Sequence, residues 1–363
     1  MVPSVHYPVV CPARPQRASM ALLSPSMNMS LENSMKKLVT GSTGFMGSSI
    51  VRELLKDGEE VKVLIRKTSD TRNIDGLDVE IAYGDIRDGD SVREALKGCD
   101  TLYYTAAFFA HWVPDKKLPY EVNVEGTKTS MRAALDAGVQ KVVYTSTNNT
   151  MGAHGPIPVD ETAEFNHWKT GDHYSISKYL AEVEARKFVS LGQPIVVVNP
   201  TLVIGVRDIK PTPSGQMIID IATGQMPGYI EGGTNIIDVE DVARGHILAA
   251  RKGRVGERYL FGNQNMTVSE YFKLIAEVAG VKPPRIKIPY HAAVAMGYLF
   301  ELGASFTKKP PVVTASEIRI GKKQEWYDCS KAVKELGLPQ TPVRTAVEKA
   351  LNWFMENGYI KKK

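Results

Sequence analysis

Apolar positions over residues 37–198 fall into two alternating patterns. Short runs rich in Val, Ile, Leu and Tyr, at 37–40, 61–65, 101–106, 141–145 and 195–198, read as strands, and another strand ends at Tyr83. Between them apolar residues recur at helical spacing, so 47–57, 90–97, 123–137 and 174–189 read as helices. The strand runs are apolar at nearly every position, the pattern of strands covered on both faces. Strands alternating with helices imply βαβ units, so the predicted class is α/β with a doubly wound parallel sheet. Past Pro200 the alternation weakens, and Pro and Gly thicken through Pro211, Pro213, Gly224, Pro227 and Gly228. The prediction is a main domain of residues 36–200 plus 236–262, with the chain returning near 236–260 to finish the sheet. A smaller, mostly helical C-terminal lobe takes 201–235 plus 263–360.

Two stretches stand outside this pattern. Residues 1–35 carry five prolines, several serines and a single acid, Glu32, and are read as a disordered tail. The alternative is an organelle-targeting peptide, whose composition the tail shares without a cleanly amphipathic helix. Residues 288–306 are apolar and helical in pattern, with Lys308 and Lys309 after them. They read first as a core helix of the second lobe, and alternatively as a helix lying on a membrane surface.

Composition narrows the function classes. With 43% hydrophobic and 23% charged residues the chain is an ordinary globular one. A net charge of +5 over 363 residues is too dilute to indicate nucleic acid. Cys11, Cys99 and Cys329 stand singly, without metal spacing or disulfide pattern. Mean hydropathy is −0.19, and no apolar run reaches membrane-spanning length. The expected location is the cytoplasm, with peripheral membrane contact as the alternative; a homodimer stays open.

Candidate chemistry begins at Thr40-Gly41-Ser42-Thr43-Gly44-Phe45-Met46-Gly47, between the first strand and the first helix. Gly41 permits a tight turn, Gly44 lets the backbone approach a pyrophosphate, and Gly47 lets the helix pack against the sheet, as in a Rossmann-type dinucleotide site. The second strand ends in Arg66 and Lys67, where an NAD-preferring site carries an acid, so NADP is expected over NAD. Asp85 and Ile86 follow the third strand, placed to meet an adenine. Ala106 and Ala107 follow the fourth, leaving room for the cofactor.

Tyr174 and Lys178 stand four apart on one face of a predicted helix. A neighbouring ammonium favours a phenolate, which fits Tyr174 for proton transfer. Tyr327 with Lys331 and Tyr359 with Lys363 show the same spacing, but far from the glycine-rich turn. Ser146 and Thr147, at the end of the fifth strand, compete as the hydroxyl that orients the reacting oxygen.

Taken together, Thr40-Gly41-x-x-Gly44-x-x-Gly47, Asp85-Ile86, Ala106-Ala107, Asn123-x-x-Gly126-Thr127, Thr145-Ser146-Thr147, Tyr174-x-x-x-Lys178 and Asn199-Pro200 resemble the extended short-chain dehydrogenase/reductase group, the NAD-dependent epimerase/dehydratase family. Finer features resemble dihydroflavonol-reductase-like, hopanoid-associated sugar epimerases and plant farnesol dehydrogenases. The resemblance selects Thr147, five residues before Gly152, as the catalytic hydroxyl. It also implies that Asn123 organises a proton relay from Lys178, that Lys178 binds the nicotinamide ribose, and that Asn199 and Pro200 belong to the cofactor site. Asp238 and Asp241 are expected to tie the lobes together. Phe108, Phe109 and Trp112 depart from a sugar-binding pattern and predict an apolar pocket wall. Without a clear Arg clamp for a diphosphate, save Arg207 and Lys210 as candidates, the expected substrate is small and isoprenoid-, sterol- or flavonoid-like. The expected activity is hydride transfer between NADP, or NAD, and an alcohol or carbonyl of that substrate. The alternatives are a redox-neutral epimerase or dehydratase and a non-catalytic NADP sensor.

Overall fold

Ten strands succeed one another among the described residues: β1 (Lys36–Thr40), β2 (Val61–Ile65), β3 (Glu80–Tyr83), β4 (Cys99–Tyr104), β5 (Lys141–Thr145), β6 (Ile195–Pro200), β7 (Leu202–Ile204), β8 (Gly233–Asp238), β9 (Arg258–Phe261) and β10 (Gln264–Thr267). The computed structural model describes residues 35–361 apart from 153, 154 and 156. The tail expected before residue 35 lies outside the described residues.

Seven strands form one sheet in the order β3-β2-β1-β4-β5-β6-β9, with every pairing parallel. β1 is central: Val39 faces Val63 across one ladder and Tyr103 across the other. Successive side chains point to opposite faces, and both faces are buried. Val39, Val63, Tyr103 and Val143 pack beneath the helices Phe45–Lys56 and Val239–Lys252. Leu38, Leu64, Leu102 and Val142 pack beneath the helices Gly89–Leu96, Gly126–Asp136 and His173–Val189. This double burial is why the strands read as nearly continuous apolar runs, and the doubly wound α/β architecture stands as predicted.

β7, β8 and β10 form a separate small sheet, in which β8 pairs parallel with β7 and antiparallel with β10. Residues 236–238 therefore lie in this small sheet, and β9 alone completes the large one. The cause is β7, which continues past Pro200 and offers β8 a ready partner. Asp238 caps the helix Val239–Lys252 and binds Lys349 Nζ at 2.9 Å, while Asp241 accepts from the Thr341 backbone N–H at 2.6 Å. Both acids thus tie the sheet to the C-terminal segment.

Two helices depart from expectation. The one predicted from 123 starts earlier, as Leu118–Tyr120, and passes through a π stretch at Glu121–Glu125 before the α-helix Gly126–Asp136. Such bulges concentrate at functional sites. The helix Tyr290–Thr307 is no core helix: only Ala293, Gly297 and Ala304 are buried. A Cβ on Gly297 would stand 2.8 Å from Ala315 N, so the helix packs through a narrow stripe of small residues and turns its bulky side chains outward.

Candidate active site

The glycine-rich turn makes the floor of a cavity of about 740 Å³. Gly41 has φ +67°, and a Cβ there would lie 2.8 Å from Ala106 N. A Cβ on Gly47 would reach 2.2 Å from the Gly41 carbonyl oxygen. Turn, helix and the end of β4 therefore meet at a distance only glycines allow. Gly44 is the N-cap of the helix Phe45–Lys56, and no side chain caps that end. Its first-turn N–H groups are thus free of side-chain acceptors, and this cradle fits a pyrophosphate. Gly41, Thr43, Gly44, Phe45, Met46 and Gly47 all line the cavity, whereas Ser42 is buried behind them.

One end of the cavity takes in Arg66, Asp85, Ile86, Ala106 and Ala107. Arg87, not singled out from sequence, joins them. It grips Asp85 through Nε to Oδ1 at 3.0 Å and Nη2 to Oδ2 at 2.8 Å. That guanidinium holds the Asp85 carboxyl below its ordinary range, and Arg66 adds to the effect. Lys67 does not reach the cavity.

The other end brings together Thr147, Tyr174 and Lys178, with Phe108 and Phe109. Asp172 caps the helix His173–Val189 by accepting from Ser175 N at 2.9 Å, which sets the first turn carrying Tyr174. Burial raises the Tyr174 phenol above its usual pKa, Asp172 raises it further, and the nearby Thr147 hydroxyl opposes both. Lys178 Nζ donates to the Thr145 carbonyl at 2.8 Å. Burial lowers its pKa to about 8, partly offset by Glu182, so the ammonium persists at neutral pH. The ring of Phe109 meets Tyr174 edge-on at 4.7 Å. Trp112 lines a second cavity instead, of about 450 Å³.

Ser146 and Thr147 have different partners. Ser146 Oγ donates to Glu182 Oε2 at 2.6 Å, which commits it to a buried network. Thr150 Oγ1 at 2.7 Å and Asn199 Nδ2 at 2.9 Å reach the same oxygen, and Arg258 Nη1 stands 3.4 Å from the other. Asn199 Nδ2 also donates to the Thr147 carbonyl at 3.1 Å. Asn199 is thus buried off the cavity, while Pro200 lines it. Asn123 is likewise buried: its amide donates to Phe108 O and Ser177 Oγ, both at 3.0 Å, and accepts from Phe108 N at 2.7 Å. It clamps the loop that carries Phe108 and does not line the cavity.

Sequence reading missed one group beside Tyr174. His111 lines both cavities, and its Nδ1 stands 3.1 Å from Asp172 Oδ1. The Asp172 carboxylate raises the His111 pKa against the effect of burial. Glu325 lines the main cavity, has an Oε1 with no hydrogen-bond partner among the described residues, and is pushed up to about 7 by burial. Asp172 had a signal, an Asp directly before a helix. Glu325, 151 positions beyond Tyr174, had none.

Comparison with known proteins agrees with this geometry. The model of the NAD dependent epimerase/dehydratase family matches residues 37–262, from β1 to just past β9. A protein of Synechocystis sp. named after dihydroflavonol 4-reductase is 36% identical over 328 residues, covering 89% of this chain and 95% of that one. The sterol demethylase protein B of Methylococcus capsulatus is 35% identical, covering 90% of this chain and all of its own. The crystal structure of gox2253 superposes with TM-score 0.81 at 41% identity, covering 90% of this chain and 100% of that one. With the nucleotide cradle, the strand order and these matches in agreement, the chain belongs to the NAD dependent epimerase/dehydratase family, as an enzyme of the extended short-chain dehydrogenase/reductase type that works with a nicotinamide cofactor.

Proposed function

We propose that this enzyme is an oxidoreductase that interconverts an alcohol and a carbonyl on a small, uncharged, largely apolar substrate, with NADP as the preferred cofactor. One observation carries the substrate class. The second lobe contributes apolar Leu202, Val203, Met217 and Ile320, hydroxyls of four Thr and Ser residues, and the carboxyls of Glu317 and Glu325 to the cavity, and no Lys or Arg among the described residues. A nucleotide sugar would bring its diphosphate to a wall without a cation and beside two carboxyl groups. Arg207 and Lys210 do not line the cavity, and Lys210 pairs instead with Asp70 at 3.3 Å. The reading also agrees with a relative named for a sterol demethylase. The preference for NADP rests on Arg66 and Arg87, two guanidinium groups where a 2′-phosphate would be received.

Gly41, Gly44 and Gly47 would cradle the pyrophosphate, and Ile86, Ala106 and Ala107 would border the adenosine side. A bound nicotinamide supplies the hydride donor or acceptor and, when oxidised, a positive charge beside Tyr174. Tyr174 holds its proton at neutral pH, as an ordinary phenol does, and burial makes that proton harder to lose; the protonated form is the one that donates to a carbonyl oxygen. Thr147, which lines the same end of the cavity and whose hydroxyl donates to Asn148 Oδ1 at 3.2 Å, would share that oxygen. The charge of Lys178 favours the phenolate left behind and supports the reverse direction.

The test pairs two measurements. Absorbance of the reduced nicotinamide is followed with isoprenols, sterol-like alcohols, flavanonols and nucleotide sugars, with chromatography of the products. Stoichiometric loss or gain of reduced cofactor is expected with one of the apolar classes; a rearranged nucleotide sugar without net absorbance change would establish the epimerase alternative instead. Tyr174→Phe should lower kcat by about 10²–10⁴ while leaving cofactor affinity unchanged. A variant that keeps its rate would overturn the role of Tyr174, and turnover by neither protein on any class would favour a sensor.

A further inference from the structure

The helix Tyr290–Thr307 presents an apolar face to the outside. Its buried residues, Ala293, Gly297 and Ala304, mark one side. Met296, Leu299, Leu302 and Phe306 recur at helical spacing on the other. They are 41%, 67%, 57% and 79% exposed, and Val312, just beyond, is 89% exposed. The helix contains a single carboxylate, Glu301, and it is turned inward: Oε1 accepts from Ala315 N at 2.8 Å. The outer face is therefore free of negative charge.

The chain segment that contains this helix is basic: between Lys282 and Lys323 stand eight lysines and arginines against two glutamates, although the whole chain has a net charge of only +5. Of the eight, Lys287 pairs with Glu231 at 3.3 Å and Arg319 donates to the Thr170 carbonyl. The remainder of the molecule is thus close to neutral. Lys308 and Lys309 are exposed at the C-terminal end of the helix. At its N-terminal end, Lys322 Nζ lies over the Tyr290 ring at 4.1 Å, and Arg285 is exposed nearby in sequence. Cations at both ends of an apolar, acid-free face are what a helix lying in the plane of a lipid interface requires, since the side chains enter the acyl boundary while the ammonium groups meet anionic headgroups. Among the described residues no helix is long and apolar enough to cross a membrane.

We propose that this face docks the enzyme onto the surface of an anionic phospholipid bilayer. Leu302 belongs to the face and also lines the second cavity, whose lining includes His111, a residue of the main cavity as well. Docking would therefore bring bilayer lipid to the rim of a space adjoining the active site. This last step rests on the apolar substrate proposed above, but docking itself does not.

The test uses the full chain and sedimentation with vesicles of phosphatidylcholine alone or mixed equally with phosphatidylglycerol. Binding to the mixed vesicles is expected, with a loss of about tenfold or more on phosphatidylcholine alone, at high salt, in Leu299→Asp/Phe306→Asp and in Lys308→Glu/Lys309→Glu. All four positions are exposed, so unchanged thermal melting serves as the control for folding. Two results would overturn the proposal. One is sedimentation with neither vesicle, or with both irrespective of the variants. The other is a lipid-free dimer that Leu299→Asp/Phe306→Asp converts to a monomer, because the face would then be covered by a second copy of the chain. Loss of membrane binding with intact activity on a water-soluble substrate would leave the proposed reaction standing, and the reverse would leave the docking standing.

Discussion

Replacing Glu325 by Gln should change how stability depends on pH. The Glu325 carboxyl is faced by His111 and Lys323, which favour its ionised form, and by Asp172, which opposes it, but burial dominates and its pKa is about 7 against 4.5 in an unfolded chain. Below pH 4.5 both states hold the proton and the group has no effect on folding. As pH rises from there to about 7, the folded protein keeps a proton that the unfolded chain has released, so folding becomes steadily less favourable; above 7 the deficit is constant. Those two values give an upper limit of about 3 kcal/mol. Water in the cavity that Glu325 borders relieves part of this, leaving about 1–2 kcal/mol. The glutamine side chain of the Glu325→Gln variant has the same shape and no proton to lose. Urea unfolding of both proteins at pH 5, 6, 7 and 8 isolates the effect, because titration elsewhere cancels in the difference. The variant should gain on the wild type by about 1–2 kcal/mol between pH 5 and 8. A difference that stays flat over that range would refute a half-buried carboxyl without a hydrogen-bond partner at this position.

Two further predictions concern the framework and the cofactor. Glu182→Ala leaves Ser146, Thr150, Asn199 and Arg258 without their shared acceptor and should cost about 3–5 kcal/mol in urea unfolding, as the loss of one partner of a buried charged cluster does; a cost under about 1 kcal/mol would show that the network is not structurally important. Arg66→Asp should reduce the ratio of NADPH to NADH affinity, measured by fluorescence titration, by about tenfold or more, and a wild-type protein that prefers NADH would remove the basis for NADP.

The parallel sheet was legible from residue order alone because strands covered on both faces are apolar at nearly every position, and residues 61–65 and 141–145 coincide with β2 and β5. The nucleotide cradle was legible for a similar reason: Gly41 and Gly47 sit where a Cβ would meet backbone atoms, and a steric requirement of that kind admits one residue type. Tyr174 and Lys178 could be paired because four positions make one face of a helix. Tertiary structure decided what depends on contacts between distant segments. Glu325, Asp172 and His111 meet beside Tyr174 through three separate stretches of chain, and no local pattern marks such a meeting. Ser146 and Thr147 are adjacent and chemically alike; the resemblance selects Thr147, but the physical reason is tertiary, since the Ser146 hydroxyl is committed to Glu182. The helix Tyr290–Thr307 has the composition of a core helix. It became an outer one because Gly297 brings its small-residue stripe against Ala315, and packing, which composition does not encode, determines which face of an apolar helix is buried.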